Sequence, residues 1–80
     1  MPVQLSVAGT SGNVVTVDVH NPDSTAQTLS ALVTVRLMNG TDETIQSNSV
    51  TVQPSQTVQV QASASGEVKY VIDNPTPIME

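Results

Sequence analysis

The stretch Leu29-Ser30-Ala31-Leu32-Val33-Thr34-Val35-Arg36-Leu37-Met38-Asn39-Gly40 decides the fold. Leu29, Ala31, Val33, Val35 and Leu37 recur at every second position, with Ser30, Thr34 and Arg36 between them. A period of two puts alternate side chains on opposite faces of an extended chain, so the run reads as a long strand with one apolar face. Leu32 and Met38 interrupt the pattern by sharing the polar face. Asn39-Gly40 then reverses the chain, because both residues tolerate the backbone angles of a tight turn.

The same period continues on both sides. Upstream, Val15, Val17 and Val19 alternate with Thr16, Asp18 and His20, and Asn21-Pro22-Asp23-Ser24 ends that strand. Pro fixes φ there, while Asn and Asp bond nearby backbone. Before it, Val3, Leu5 and Val7 alternate with Gln4 and Ser6, up to a stop at Gly9-Thr10-Ser11-Gly12. Downstream, Glu43 to Ser47 reads as a short edge strand carrying Ile45. Val50 and Val52 have the opposite parity to Ile45, which requires a bulge or a break between short strands. Pro54-Ser55-Gln56 turns the chain, Val58, Val60, Ala62 and Ala64 alternate again, and Ser65-Gly66 makes a last turn. Val68, Tyr70 and Ile72 are then expected on the inner face of a final strand. The segment 74–80 holds Pro75 and Pro77 and is expected not to continue a ladder, since proline lacks the N–H a ladder needs. The reading is one all-β domain over residues 1–73, an immunoglobulin-like β-sandwich of about seven antiparallel strands with Greek-key connections, followed by an extended tail over 74–80. The Val-Thr-Val triplets at 15–17, 33–35 and 50–52 are common strand vocabulary, because nothing around them recurs.

Composition supports an all-β chain. Of the 80 residues, Val, Thr and Ile supply 27, as 14, 10 and 3. These β-branched side chains lose freedom in helices and pack well on sheets. Tyr70 is the only aromatic residue and there is no Cys, so the core must be built of Val, Leu and Ala without a disulfide. A chain this short buries only about 60% of its unfolded surface, which favours help from a neighbouring chain. With two basic residues against seven acidic ones and a net charge of −5, it is a poor fit to nucleic acid. No apolar run approaches the roughly 20 residues needed to span a bilayer, and Met1-Pro2-Val3-Gln4 does not open like a signal peptide.

Three pieces of the chain carry a resemblance. They are Val17-Asp18-Val19-His20-Asn21, the long strand from Ala31 to Asn39, and Val52-Gln53-Pro54-Ser55-Gln56-Thr57-Val58. A strand ending in Asn, a polar linker, a long strand and then a Pro-containing turn before a strand resembles the small immunoglobulin-like sandwiches of prokaryotic surface proteins, the FxLYD-type and CARDB-type domains. The likeness runs from Val14 to Ala64. Val35-Arg36-Leu37-Met38-Asn39 falls where the FxLYD signature would lie and matches only its Leu; the aromatic residues are absent, and Pro54-Ser55 replaces the usual Pro-Gly. The resemblance implies a binding or spacer role, and fold alone does not fix function.

No residue pattern specifies chemistry. His20 is the only His, with Asp18 on its strand face and Asp23 past the turn, a pairing that suits a metal or an oriented base. A catalytic triad would need a poised Ser, and no Gly-x-Ser-x-Gly elbow is present; a solvated strand end is the plainer reading. Asp18, Asp23, Asp42, Glu43 and Asp73 are the oxygen ligands available to Ca²⁺, but they are scattered without loop-motif spacing and read as solubility charge on turns. Asn39-Gly40-Thr41 matches the N-glycosylation sequon and equally suits a tight turn. The expectation is therefore a non-enzymatic protein with no catalytic, cofactor-binding or metal residues and no cofactor.

The expected partner is protein: subunits of an assembly, or further copies of the chain. Lys, a common guard of exposed sheet edges, is nearly missing. Leu32, Met38, Val14 and Val71 lie opposite the apolar stripes, and with Pro75, Pro77 and Ile78 of the tail they are the candidate contact residues. Partial burial under loops is the alternative for Leu32, Met38, Val14 and Val71. A short reading frame without an export signal suits an accessory protein assembled in a host cytoplasm, and immunoglobulin-like modules decorate phage capsids and tails. A decoration or cement protein of a virion is the first functional expectation. A cell-surface adhesion or carbohydrate-binding module, in an extracellular setting, is the second. Sugar platforms use aromatic rings, and only Tyr70 is available.

Overall fold

The computed structural model describes residues 2–80. The strands are β1 (Gln4–Ser11), β2 (Val14–His20), β3 (Gln27–Leu37), β4 (Asp42–Gln46), β5 (Val50–Val52), β6 (Thr57–Ser63), β7 (Val68–Val71) and β8 (Thr76–Met79). They form two antiparallel sheets packed face to face, a β-sandwich. The first sheet has the order β1-β2-β6. In the second, four short strands share one long partner: β4 and β5 lie end to end along one side of β3, and β7 and β8 along the other. The pairings show this, because Val35 faces both Glu43 and Val71, Leu32 faces both Gln46 and Thr76, and Leu29 faces both Val50 and Met79. At about 3.3 Å per residue the 11 residues of β3 run most of the molecule's 42 Å long axis.

The core is the one the period-two pattern marks. Val15, Val17 and Val19 of β2 face Leu29, Ala31, Val33, Val35 and Leu37 of β3, joined by Ile45, Val52, Ala62, Ala64 and Val68. Leu5, Val50, Val58, Val60 and Val71 pack against its rim. The expected break after Ile45 is present. Ser47 bridges it: its N–H donates to the Ala31 carbonyl (2.9 Å), and its Oγ accepts from the Ala31 N–H (2.8 Å). The buried gap between β4 and β5 thus keeps its main-chain groups paired.

The structure corrects the sequence reading at the C-terminal end. Tyr70 and Ile72 lie on the outer face, and Val71 points into the core. Leu37 pairs with Val68 and Arg36 with Tyr70, so Lys69 is an extra residue, a bulge that reverses the parity of everything after it. The segment 74–80 also differs from expectation, because Thr76–Met79 pairs with β3 as an edge strand. Pro77 is tolerated for a geometric reason. It faces Ala31, whose N–H and C=O both turn toward Ser47 on the other side, so Pro77 occupies a non-hydrogen-bonded position and its missing N–H would have pointed out of the sheet. Pro75 is buried and contributes to the fold rather than to a contact surface. At the other end, β1 continues through Gly9 to Ser11 because a bulge at Ala8, between Val7 and Gly9, keeps it in register with β2.

Turn chemistry follows the sequence closely. Gly40 (φ 90°) ends a three-residue hairpin loop in which its N–H donates to the Leu37 carbonyl, at 2.9 Å. Ser55 has φ 63° in the turn Gln53-Pro54-Ser55-Gln56, closed by the Gln56 N–H on the Gln53 carbonyl at 3.1 Å. A side chain at that left-handed position costs about 1–2 kcal/mol, part of which glycine would lose again to the unfolded chain's entropy. Ser55→Gly is expected to stabilise the protein by about 0.5 kcal/mol. A rise in the urea midpoint with an unchanged m-value would show it; a fall would mean the hydroxyl contributes more than the strain removes.

Candidate functional site

The outer face of the second sheet collects three of the six large exposed apolar side chains among the described residues. Along β3 it shows Thr28, Ser30, Leu32, Thr34 and Arg36. Cross-strand neighbours share a face, so Thr51, Gln46, Thr44 and Asp42 flank that row on one side, and Ile78, Thr76 and Tyr70 on the other. Ile72 joins the second flank through its N–H bond to the Thr34 carbonyl, at 2.9 Å. Tyr70 is 45% exposed, and Ile72 and Ile78 38% each. With half-buried Leu32 they make an apolar stripe on an otherwise Thr-rich surface. At one end, Arg36 forms a bidentate ion pair with Asp42 and lies over the Tyr70 ring, 5.8 Å from its centroid. The hydrogen bond from Arg36 and its positive charge hold the Asp42 carboxyl below the usual range, and the same bond with the negative charge of Asp42 raises the Arg36 pKa. The pair is exposed and screened, so it orients the ring more than it stabilises the fold.

The candidate contact residues divide into groups. Leu32 and Ile78 belong to the stripe; Pro77, next to Ile78 on β8, pairs with inward-facing Ala31 and so lies on the opposite face, exposed at the sheet's edge. Met38, 59% exposed, sits in the β3–β4 hairpin loop. Val14 is half-buried on the first sheet's outer face between Ser11 and Ser63. Val71 and Pro75 face inward. Tyr70 and Ile72 were missed, because the Lys69 bulge leaves no mark in the alternation.

The first sheet's outer face is polar. His20 sits between Gln4 and Thr57, and its Nδ1 shares a 2.8 Å hydrogen bond with Thr57 Oγ1. Asp18 lies one pair along, between Ser6 and Gln59. The acidic side chains are spread along the molecule: Asp42 and Glu43 lie at the Leu37 end of β3 and Asp23 at the Gln27 end. Among the described residues no three of His, Cys, Asp and Glu gather to hold a metal. Glu43 accepts from the Ser65 N–H (2.8 Å), and the Ser24 N–H (2.7 Å) lowers the Asp23 pKa. The Asn39 side-chain oxygen accepts from the Thr41 N–H (3.0 Å) and hydroxyl (2.7 Å), which serves the loop itself.

Asn21 is fully buried, and both of its side-chain N–H groups and its side-chain oxygen are hydrogen-bonded to the backbone around it. Its Nδ2 donates to the Thr25 and Val52 carbonyls (2.9 Å each), and its Oδ1 accepts from the Asp23 N–H (3.0 Å). Its main chain bonds Gln56 and Ser55. One side chain thus ties the β2–β3 linker and the end of β5 together beside the following turn. Comparison with known proteins finds no family model, no curated protein and no solved structure that matches the chain.

Proposed function

We propose that this chain is a non-enzymatic structural protein that works through protein–protein contacts, as a decoration or cement protein of a virus particle. The observation that supports the contact role is the stripe of Tyr70, Ile72 and Ile78 beside Leu32. Exposed apolar side chains in a row on a rigid sheet mark a docking surface. The particle setting draws on the resemblance to small immunoglobulin-like sandwiches. Repetition over many copies makes weak lateral contacts hold.

The test uses Ile72→Asp and Ile78→Asp. Both residues are on the surface, so the isolated variants should stay within about 1 kcal/mol of the parent. Incorporation into purified particles should fall at least about tenfold, the effect of losing one apolar contact of roughly 1.4 kcal/mol. Parent-like incorporation of both variants, or particles in which the protein is absent, would overturn the reading. The alternative, a carbohydrate-binding or adhesion module, is supported by the exposed Tyr70 ring beside Arg36. It expects glycan binding by the isolated chain that Tyr70→Ala abolishes.

A further inference from the structure

The strands at the edges of a sandwich leave a row of main-chain donors and acceptors unpaired, and natural proteins guard such rows with bulges, charges, breaks and prolines. Among the described residues, three of the edges carry guards. β1 is bulged at Ala8. The β4–β5 side is broken over 47–49 and carries Asp42 and Glu43. The β7–β8 side is bulged at Lys69 and turns Pro77 outward. β6 has none of these. Thr57-Val58-Gln59-Val60-Gln61-Ala62-Ser63 contains no charge, Pro or Gly, and its register with β2 is unbroken from His20–Thr57 to Val14–Ser63.

The unpaired groups on β6 can be named. Asn21 N–H donates to the Gln56 carbonyl, and Ala64 N–H to the Asn13 carbonyl, so the even-numbered residues here turn their main chain toward β2. Thr57, Gln59, Gln61 and Ser63 turn theirs outward. Space is open beside them: a groove of about 580 Å³ separates this edge from Asn48, Ser49 and Val50 of the opposite sheet.

We infer that β6 is a self-pairing edge, to which a second copy of this chain adds its own β6 antiparallel across a two-fold axis at Val60. The strand's own sequence identifies the occupant, because it reads nearly the same in both directions from Val60: Val, Gln, then Val or Ala, then Thr or Ser. In that register Gln59 meets Gln61 of the second copy and Thr57 meets its Ser63, so every outward-facing main-chain group finds a partner. Sliding by two residues leaves Thr57 or Ser63 unpaired. Charge agrees, since a chain of net charge −5 can approach itself along a strand that carries none. Half-buried Val58 and Val60 gain cover over the groove beside Val50, and the two three-stranded sheets become one. This inference goes beyond the particle reading and does not depend on it.

The full chain should show a concentration-dependent dimer by sedimentation equilibrium between micromolar and millimolar. Gln59→Pro deletes an N–H that faces outward and none that bonds β2, so the variant should keep its fold. Its dimer should be about 100-fold weaker, tenfold for each of the two hydrogen bonds lost across the axis. The chain has no Cys, and Val60 sits on the axis in a non-hydrogen-bonded pair with Cα atoms about 4.5 Å apart, within disulfide reach. Val60→Cys should therefore oxidise to a dimer at least tenfold faster than Val58→Cys, which faces Ala62. A chain that stays monomeric at millimolar concentration, with the two Cys variants oxidising alike, would overturn the inference. So would a dimer that Gln59→Pro leaves intact, or an edge that only a different protein protects from amide exchange. None of these outcomes bears on particle incorporation, which Ile72→Asp reads separately.

Discussion

An Asn21→Ala chain is expected to melt about 10–20 °C below the parent. The substitution removes two buried donors and one acceptor together, leaving the Val52 carbonyl, the Thr25 carbonyl and the Asp23 N–H without their partner. An orphaned buried group costs about 1–3 kcal/mol, and the Val52 bond is the fully buried one, with water able to replace part of the rest. The sum is about 2–4 kcal/mol, a large share of the roughly 4–12 kcal/mol that holds a chain of this size together. In a domain this small each kcal/mol moves the midpoint about 4–8 °C. Asn21→Asp separates hydrogen bonding from shape. It keeps the volume but points an acceptor at two carbonyl oxygens, and burial raises the new carboxyl's pKa. A group whose folded pKa is raised this way favours the fold while protonated and opposes it once ionised, so this variant should lose stability relative to the parent as pH rises above about 4. Thermal melts followed by circular dichroism at pH 3 and pH 7 read both effects. An Asn21→Ala midpoint within about 3 °C of the parent would mean the linker holds itself without this side chain.

Leu29→Ala is expected to cost about 3 kcal/mol. Leu29 is the largest of the fully buried side chains, and it sits where β3 is flanked by Val50 on one side and Met79 on the other. Truncation removes transfer free energy and leaves a cavity that its surroundings fill only partly, for a total of about 2–5 kcal/mol. Val50, being β-branched, has restricted rotamers and little freedom to collapse into the space, while unbranched Met79 is the flank able to give. Leu29→Val should cost about 1 kcal/mol at the same site. Urea titrations with a shared m-value would confirm the ranking, and equal midpoints for the two variants would show that this part of the core repacks freely.

Where the sequence alternates and one face is buried, the fold could be read directly. That holds for Val15–Val19, for Leu29–Leu37 and for Val58–Ala64, because a one-residue slip would turn every valine to solvent. The gap after Gln46 was legible too, since Ile45 and Val50 could not share a face without one. The Lys69 bulge was not. Glu67-Val68-Lys69-Tyr70-Val71-Ile72 alternates well enough in either parity, and only pairing with Arg36 and Leu37 settles which set is inside. Two of the three exposed members of the stripe, Tyr70 and Ile72, were therefore assigned to the interior. β8 was missed for a related reason: proline forbids a hydrogen-bonded ladder position, and whether Pro77 falls on one depends on a partner more than forty residues away in sequence. Asn21 looked like a turn residue, which it is; its burial and its bond to Val52 come from the tertiary fold.

The arrangement of four short strands along β3 makes the second sheet a star rather than a chain of dependencies. β4, β5, β7 and β8 each lean on β3 and on none of the others for their ladders. A cut in the backbone near Asn48 or Asp73 would spare every ladder, and fragments divided there retain the surfaces needed to find each other again. A single nick between Ala31 and Val33 would compromise the template that all four share. The molecule can thus be split at its margins and reassembled, while its one indispensable thread lies at the centre, sheltered on both sides by the strands it organises.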